Sequence, residues 1–345
     1  EIEPLKPEGE DTPLEKDEYT FMNVEYRKWQ NGTFQAWTTA DSRETRTIDN
    51  MNWYTPSSDY SRTAWGGRIG LQPSSVVGKE GFFRVANCGG RSYLLDPDNG
   101  AVIIHGIQHV RPGESTAHKK AFGTRYGSEA RWSEETGKLL ADNHINYISY
   151  GSNRIEVFPA AVRGNLLTPK TQKIAYAENL YLLRTFMWDM SKNLGYAFDD
   201  DKYNRLVLLF EPTFATYIDR LVQEKSALLA GDRHFIGFYL DNELPFASYQ
   251  GTGYANTEGG GWLVHTQKNR GEFYQNFCLR LLETRNCVGW VHFEYNDGYD
   301  SNGKASNKGV VSIEYEPYES FLSQMRQLNL SVHSLIDYYD IKSVQ

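Results

Sequence analysis

Hydrophobic and polar residues follow two different patterns along the chain, and the change comes near Gly81. Before it, short aromatic and polar runs are broken by Asn-Gly and Pro-Ser-Ser, which predicts a small β-rich extension over residues 21–80. Residues 1–20 are polar and rich in Pro and Glu, and we expect a flexible leader there. Residues 81–345 then form the main domain.

The main domain alternates between strand and helix patterns. It opens with the strands GFFRVA and RSYLLD around a Cys-Gly-Gly turn, followed by AVIIHGIQHV, an apolar run typical of a parallel strand buried on both faces. Further strands are predicted at INYISYGS, HFIGFYLDNE and CVGWVHFEY. Helical periodicity marks Arg131 to Asn143, Phe214 to Ala230, Lys268 to Glu283 and Tyr318 to Asn329. Such alternation predicts an α/β fold with a parallel sheet.

Composition narrows the classes of function. With 345 residues, 40% of them hydrophobic, the chain can bury a large core. Its formal charge of -8 argues against a nucleic-acid partner, which needs a basic surface. The 23 Tyr, 17 Phe and 8 Trp fit either a large aromatic core or a cleft whose flat faces stack on sugar rings.

Three further features bear on location and chemistry. No stretch approaches the ~20 apolar residues of a transmembrane helix. The three cysteines have neither metal-ligand spacing nor a disulfide framework, and we expect free thiols. The first residue is Glu1, not Met, as in a chain after signal removal, and the chain is expected to be secreted, periplasmic or anchored at the cell surface.

The strongest candidate for catalysis is the segment FIGFYLDNELPF, in which an apolar strand ends in Asp241, Asn242 and Glu243. In a barrel, the carboxyl ends of the strands supply the active site. Aromatic neighbours would desolvate Glu243 and favour its protonated form, which glycoside hydrolysis needs on the leaving oxygen. Asn242 could hydrogen-bond a sugar 2-hydroxyl. The alternative is that Asp-Asn caps a helix after the strand.

A second candidate segment is CVGWVHFEYND. Trp290, His292 and Glu294 alternate along the predicted strand and are expected to share one face. They would form either a sugar subsite or part of the filling of a barrel interior. Tyr150, His105 and Trp262 are further candidates for substrate binding.

No motif for a nucleotide, a zinc ion or a serine nucleophile is present, and neither a cofactor nor a metal is expected. His105 and His109, four residues apart in the predicted strand, could form a metal pair or could be satisfied polar groups inside a barrel.

Five segments together resemble the β-agarases and agarase-like enzymes of glycoside hydrolase family 50, which are retaining enzymes with a (β/α)8 barrel. They are GGRSYLLDPDNGAVIIHGIQHV, INYISYGS, FIGFYLDNELPF, TQKNRGEFYQNFCLRLLETRNCVGWVHFEYND and SNKGVVSIEYEPY. The resemblance implies a (β/α)8 TIM barrel acting on a galactose-containing polysaccharide such as agarose or porphyran. It also implies that Glu243 is the general acid/base.

The chain departs from this family between Glu243 and the helix that begins near Lys268. A strand–helix–strand unit takes about 30 residues, so the fifth to seventh barrel strands do not fit there. We expect a stretch missing near residues 245–254, or a natural fragment of a barrel. The family's nucleophile lies in the absent part, and Glu258 and Glu294 are the nearby substitutes.

Two classes of function therefore remain open. The first is a retaining glycosidase in which Glu243 is the acid/base, with a β-galactosidase or mannanase as a variant of the same class. The second is a non-catalytic glycan-binding barrel that lost its nucleophile.

Overall fold

A computed structural model describes residues 20–30, 33–57, 59–151, 158–194, 205–241, 262–299 and 305–342. The strands are β1 (Met22–Gln30), β2 (Thr33–Phe34), β3 (Asp41–Thr45), β4 (Ser75–Val77), β5 (Arg84–Cys88), β6 (Arg91–Leu95), β7 (Ala101–Val102), β8 (Ile104–Ile107), β9 (Tyr147–Ile148), β10 (Ala175–Asn179), β11 (Phe235–Tyr239), β12 (Trp262–Val264), β13 (Gly289–His292), β14 (Gly298–Tyr299) and β15 (Ala305–Ser306). The α-helices are α1 (Thr116–Arg125), α2 (Glu129–Asp142), α3 (Ala160–Leu167), α4 (Leu182–Leu194), α5 (Phe214–Leu229), α6 (Gln267–Glu283) and α7 (Glu319–Lys342).

The centre of the molecule is a parallel sheet in the order β11-β10-β9-β8-β13. One or two helices follow each of β8, β9 and β10 in the chain before the next strand, and α7 follows β13, so the predicted strand–helix alternation is confirmed. Because all five strands are parallel, their carboxyl ends meet at one edge of the sheet. In the described part of the chain β11 and β13 are the outer strands, and the sheet is not closed into a complete barrel.

An antiparallel sheet, β4-β5-β6-β7, precedes the parallel one. The predicted strand pair around the Cys-Gly-Gly turn is β5 and β6, and both glycines of the turn, Gly89 and Gly90, have positive φ. The run AVIIHGIQHV is not one strand, because Val102 pairs with Leu94 in the antiparallel sheet whereas Ile104 begins β8. The chain passes from one sheet to the other at Ile103, and residues 101–107 are buried in one sheet or the other.

The predicted β-rich extension contributes a further antiparallel sheet. Strand β1 pairs with β2 and β3, and its Arg27 lies opposite Leu263 of β12, which follows the extension by more than half the chain. Strand β4, before Gly81, pairs with β5 after it. Strand pairing therefore crosses the predicted boundary between the extension and the main domain.

The helices pack against the parallel sheet through two separate hydrophobic clusters. On one side Trp132 and Leu140 of α2 pack with Ile148 and Tyr176. On the other side Trp290 packs with Leu279 of α6 and with Leu328 and Leu335 of α7, together with the antiparallel sheet. All three cysteines are free thiols, as predicted, and Cys88 and Cys278 are buried. None of the helices in the described residues combines the length and the apolar character that a membrane span requires.

Trp65 closes the amino-terminal end of the sheet. Its ring is buried against Ile104, Tyr147 and Ala175, and its indole N–H donates to Asp98 Oδ2 at 3.0 Å. The backbone N–H of Lys173, just before β10, donates to the carbonyl of Ala64 at 2.7 Å, which ties this segment to the start of the strand. The opposite, carboxyl edge is thus the open end of the sheet.

Candidate functional site

The carboxyl edge of the parallel sheet brings polar and aromatic side chains together from distant parts of the chain. Backbone hydrogen bonds extend the pairing beyond the strands, since Gln108 N–H donates to the His292 carbonyl and Leu180 N–H to the Tyr239 carbonyl. The described residues directly after β8, β10, β11 and β13 are therefore held by backbone hydrogen bonds between neighbouring strands, as an active site at strand ends requires.

Glu294 and His109 meet at the side of this edge formed by β8 and β13. Glu294 Oε2 lies 3.0 Å from His109 Nδ1, and both side chains are partly exposed, His109 by 24% and Glu294 by 16%. Gly151, with φ +79°, lies directly against this imidazole, because a Cβ built on it would stand 2.1 Å from His109 Cδ2. A histidine and a carboxylate within hydrogen-bond reach at a solvent-accessible strand end are suited to proton transfer.

A cluster of four tyrosines, Tyr147, Tyr150, Tyr181 and Tyr239, occupies the middle of the same edge. The Tyr147 hydroxyl donates to the Tyr239 hydroxyl at 3.3 Å, and the Tyr150 ring lies 4.6 Å from that of Tyr239. Burial raises the pKa values of Tyr147 and Tyr181, so both remain neutral hydrogen-bonding groups. Rings with hydroxyls at a strand edge offer apolar faces and polar tips to a sugar.

Asp241 is the last described residue of the FIGFYLDNELPF segment. Its Oδ2 accepts a hydrogen bond from the backbone N–H of Leu183, at 2.9 Å, in the first turn of α4. A carboxylate there satisfies one of the free N–H groups of the helix and interacts favourably with its dipole. Asp241 is thus a helix cap, the role that the sequence offered as an alternative for Asp-Asn, although the helix it caps lies earlier in the chain. Asn242, Glu243 and Glu258 lie outside the described residues.

Trp290 and His292 point away from the open edge. They share one face of β13, as predicted, but that face packs against helices α6 and α7. The Trp290 indole N–H donates to the Tyr274 hydroxyl at 2.6 Å, and His292 Nε2 lies 2.9 Å from the Lys308 carbonyl oxygen. Glu294, two residues beyond His292, does not share this face and instead meets His109.

Desolvation determines the charge of the two buried imidazoles, those of His105 and His292. Burial, followed by the positive charge of Arg270, lowers the pKa of His292 to about 4. Burial likewise lowers the pKa of His105 to about 3, although its Nδ1 lies 3.2 Å from the His144 carbonyl oxygen. Both are therefore neutral at pH 7.

His105 and His109 lie in different surroundings and not as a metal pair. His105 belongs to β8 and its ring lies 5.2 Å from Trp290, whereas His109 lies beyond the strand with φ +55°. Within the residues that the structure describes, no group of three His, Cys, Asp or Glu side chains could hold a metal ion. Trp262 is in β12, opposite Lys28 of the extension.

Sequence reasoning missed Asn179 and Tyr181 as residues of this edge, and it offered Tyr239 only as one of the aromatic neighbours of Glu243. Asn179 and Tyr181 lie in a segment whose division into strand and helix the periodicity did not reveal. Tyr239 directly precedes the LDNE sequence and is the last residue of β11. Its position at the end of a strand was a usable signal.

The fold and this edge define an α/β protein with a parallel sheet, closed by Trp65 at one end and carrying an acid–imidazole pair and tyrosines at the other. No model of a protein family matches the chain, and no curated protein matches it. Among solved structures, the chain is similar to BpGH50, with a TM-score of 0.74 and 18% identity over 96% of this chain and 98% of that chain.

Two other solved structures match less well. One is the agarase AgWH50C, with a TM-score of 0.49 and 12% identity over 81% of this chain and 67% of that chain. The other is an exo-β-agarase, with a TM-score of 0.47 and 9% identity over 81% and 68%. The chain has the fold of BpGH50, and the resemblance seen in the sequence is confirmed at the level of the fold.

Proposed function

We propose that the protein is a glycoside hydrolase that acts on an agar-type, galactose-containing polysaccharide or oligosaccharide. The observation that carries the proposal is the convergence of Glu294, His109 and the tyrosine cluster at the carboxyl edge of a sheet with the fold of BpGH50. The names of two further matched structures describe agarases, which agrees with the substrate class inferred from the sequence.

In this proposal the chemistry is retaining and uses two carboxylates. Glu243, two residues after the helix cap Asp241, protonates the glycosidic oxygen and later deprotonates water. Glu294 or Glu258 supplies the second carboxylate, and retaining chemistry requires the two groups about 5–5.5 Å apart. A complete (β/α)8 barrel is part of the same proposal. So is export from the cell, because the polymer lies outside the cell.

Hydrolysis of agarose, porphyran and their oligosaccharides, followed through the release of reducing ends, tests the proposal. Replacement Glu243→Gln keeps the size of the side chain but removes the proton that it transfers, and turnover should fall at least 1000-fold, about 4 kcal/mol. The matched control is Glu80→Gln at an exposed position, which should act like the wild type. Equal turnover in the Glu243→Gln protein would refute the assignment.

A non-catalytic glycan-binding protein is the second candidate. It is favoured by the sequence between Glu243 and α6, which is too short for the fifth to seventh barrel strands of the family, since one strand–helix–strand unit takes about 30 residues. The family's nucleophile lies at the end of the seventh strand. This candidate predicts saturable oligosaccharide binding with no release of reducing ends. Any turnover that depends on Glu243 would exclude it.

A further inference from the structure

A short hairpin of the amino-terminal extension, residues 61–69, covers the amino-terminal end of the parallel sheet. A backbone hydrogen bond from Thr63 N–H to the Gly67 carbonyl, at 2.9 Å, closes its turn. Trp65 is the only large side chain of the hairpin that is fully buried. Segments with few buried apolar contacts open locally, without unfolding of the whole protein. The hairpin is therefore a unit that can open by itself.

The hairpin lies along one face of α7. The two are joined by three polar contacts, namely Arg62 Nη2 with the Leu330 carbonyl at 2.9 Å, the Gly66 carbonyl with His333 Nε2 at 3.3 Å, and Arg68 Nη1 with Asp337 Oδ1 at 2.7 Å. The three positions on α7 are three and four residues apart, so they follow one another along the same helix face. Hydrogen bonds and charge therefore hold the hairpin to this helix.

Three imidazoles of the main domain lie near Arg62. They are His105 of β8, His144 in the turn between α2 and β9, and His333 of α7. His105 Nδ1 lies 3.2 Å from the His144 carbonyl oxygen. Burial is the largest cause that lowers the pKa of each imidazole, and the positive charge of Arg62 lowers all three further. One arginine of the extension thus acts on three histidines.

The surroundings of these imidazoles do not favour additional positive charge. The charged groups that act on them include three cations and two carboxylates, Arg62, Arg68, Arg326, Asp142 and Asp337. Both carboxylates already have cationic partners, since Asp337 pairs with Arg68 and Asp142 with Lys138. Asp337 also accepts the hydroxyl of Tyr60, whose ring lies 6.0 Å from that of His333. The closed hairpin therefore requires neutral imidazoles.

Acid should shift the hairpin towards its open form. Burial lowers the pKa of His333 to about 4, whereas an exposed imidazole has a pKa of about 6.5. The open form therefore binds more protons below about pH 6.5. Each imidazole that gains a proton on opening raises the opening constant tenfold per pH unit in that range, and above pH 7 its effect is constant.

We propose that hairpin 61–69 is a pH-sensitive latch, which opens from α7 in acid while the parallel sheet stays folded, with His333 taking up a proton as Arg62 leaves. The latch acts at the opposite end of the sheet from the candidate site. It therefore does not depend on the proposed hydrolase function.

Hydrogen–deuterium exchange of the whole chain between pH 4.5 and 7.5, read by mass spectrometry, tests the latch. After correction for intrinsic exchange rates, peptides covering residues 60–69 give the opening constant of the hairpin, and peptides covering residues 174–179 give that of β10. At pH 5 the hairpin constant of the wild type should exceed the β10 constant at least 100-fold. Between pH 6 and 5 the hairpin constant should rise tenfold or more.

The variant His333→Gln removes the imidazole that contacts the hairpin and keeps a polar side chain. The rise of its hairpin constant between pH 6 and 5 should be about tenfold smaller than in the wild type, because one proton fewer is taken up. The matched control is His265→Gln, at an exposed imidazole that pairs with Glu25, and it should keep the wild-type pH dependence.

Opening constants of the hairpin and of β10 that coincide across the pH range would overturn the latch, because acid would then act only through global unfolding. A hairpin constant independent of pH, or an unchanged pH dependence in the His333→Gln protein, would also overturn it. If His333→Gln does not fold at pH 7.5, as judged by circular dichroism, His144→Gln is measured under the same criteria.

Discussion

His109 and Glu294 are 185 residues apart in the chain, yet His109 Nδ1 lies 3.0 Å from Glu294 Oε2. The contact joins a residue two positions beyond β8 to a residue two positions beyond β13, and these strands are neighbours in the sheet. The parallel register of these strands therefore creates the only acid–imidazole pair found at the carboxyl edge of the described residues.

This pair should show measurable coupling. A double-mutant cycle with His109→Ala and Glu294→Gln is expected to give an interaction free energy of about 0.5–3 kcal/mol, because the partners touch and are mostly shielded from water. Chemical denaturation supplies the four unfolding free energies. The comparison is the exposed helical pair Lys138 and Asp142, whose coupling should not exceed about 0.5 kcal/mol. Coupling no larger than that for His109 and Glu294 would contradict the geometry.

Gly151 should be intolerant of any side chain. Alanine there must adopt φ +79° and place its Cβ on the His109 ring, so Gly151→Ala should destabilise the fold by about 1–3 kcal/mol and shift the His109 ring signals in NMR. Gly123→Ala is the control, because this glycine lies inside α1 with no atom within 4 Å of the built Cβ. That change should stabilise the helix by about 0.5–1 kcal/mol. Similar effects at both positions would be evidence against the packing of His109 on Gly151.

Stability should fall as the pH is lowered below about 6.5. Burial lowers the folded-state pKa of His105 to about 3 and of His333 to about 4. Their unfolded-state pKa is about 6.5, so the unfolded chain binds more protons between these values, and each imidazole removes about 1.4 kcal/mol per pH unit as pH falls. Above pH 7 their contribution is constant. Denaturant melts from pH 4.5 to 8 measure the slope.

The variant His333→Gln isolates one part of this pH dependence. It removes the titrating group while keeping a polar side chain near the Gly66 carbonyl, and its stability should depend less on pH than that of the wild type in the acidic range. An unchanged slope would mean that His333 does not remain neutral in the folded state.

Asp340 should be needed for the fold because its partner is buried. Arg91 is fully buried and its Nε and Nη2 both donate to the Asp340 carboxylate, with Nη1 donating to the Leu282 carbonyl at 2.8 Å. Asp340→Ala leaves that guanidinium without its counter-charge and should lower the free energy of unfolding by about 3–5 kcal/mol. Thermal and urea denaturation measure the loss. A loss below about 1 kcal/mol would contradict this expectation. It would mean that neither the buried Arg91 nor Arg285, the second arginine near Asp340, needs the Asp340 carboxylate for the stability of the fold.

Trp290 is expected to matter for stability and not for sugar contact. Trp290→Ala empties a site packed against α6 and α7 and should cost about 3–5 kcal/mol of stability. Trp290→Phe keeps most of the packing but removes the hydrogen bond to Tyr274, and should cost about 1–2 kcal/mol while oligosaccharide affinity stays unchanged. A Trp290→Phe protein of normal stability that binds sugar tenfold more weakly would restore the sugar-subsite interpretation.

The sequence predicted the elements whose periodicity is strong. Helix α2 was predicted within two residues of its ends because its apolar residues recur at helical spacing, and α5 and α6 were predicted within one residue. Helix α1 was missed because His118 is the only buried residue of that helix, so no apolar stripe marks it. Helix α3 was missed because its eight residues are too few to show a period.

The candidate site could be predicted only in part. The alternation in CVGWVHFEYND correctly indicated that Trp290 and His292 share a face, but a pattern along one strand does not tell which face the helices cover. That depends on α6 and α7, which pack there from other parts of the chain. The approach of His109 to Glu294 depends on the order of strands in the sheet, which periodicity does not contain.

The position of Trp65 limits the direction from which a ligand can reach the tyrosine cluster. Its indole fills the amino-terminal end of the described part of the sheet, and the Lys173 N–H is hydrogen-bonded to the Ala64 carbonyl beside it. Among the described residues, a ligand that reaches the tyrosines therefore does so from the carboxyl edge and not past Trp65.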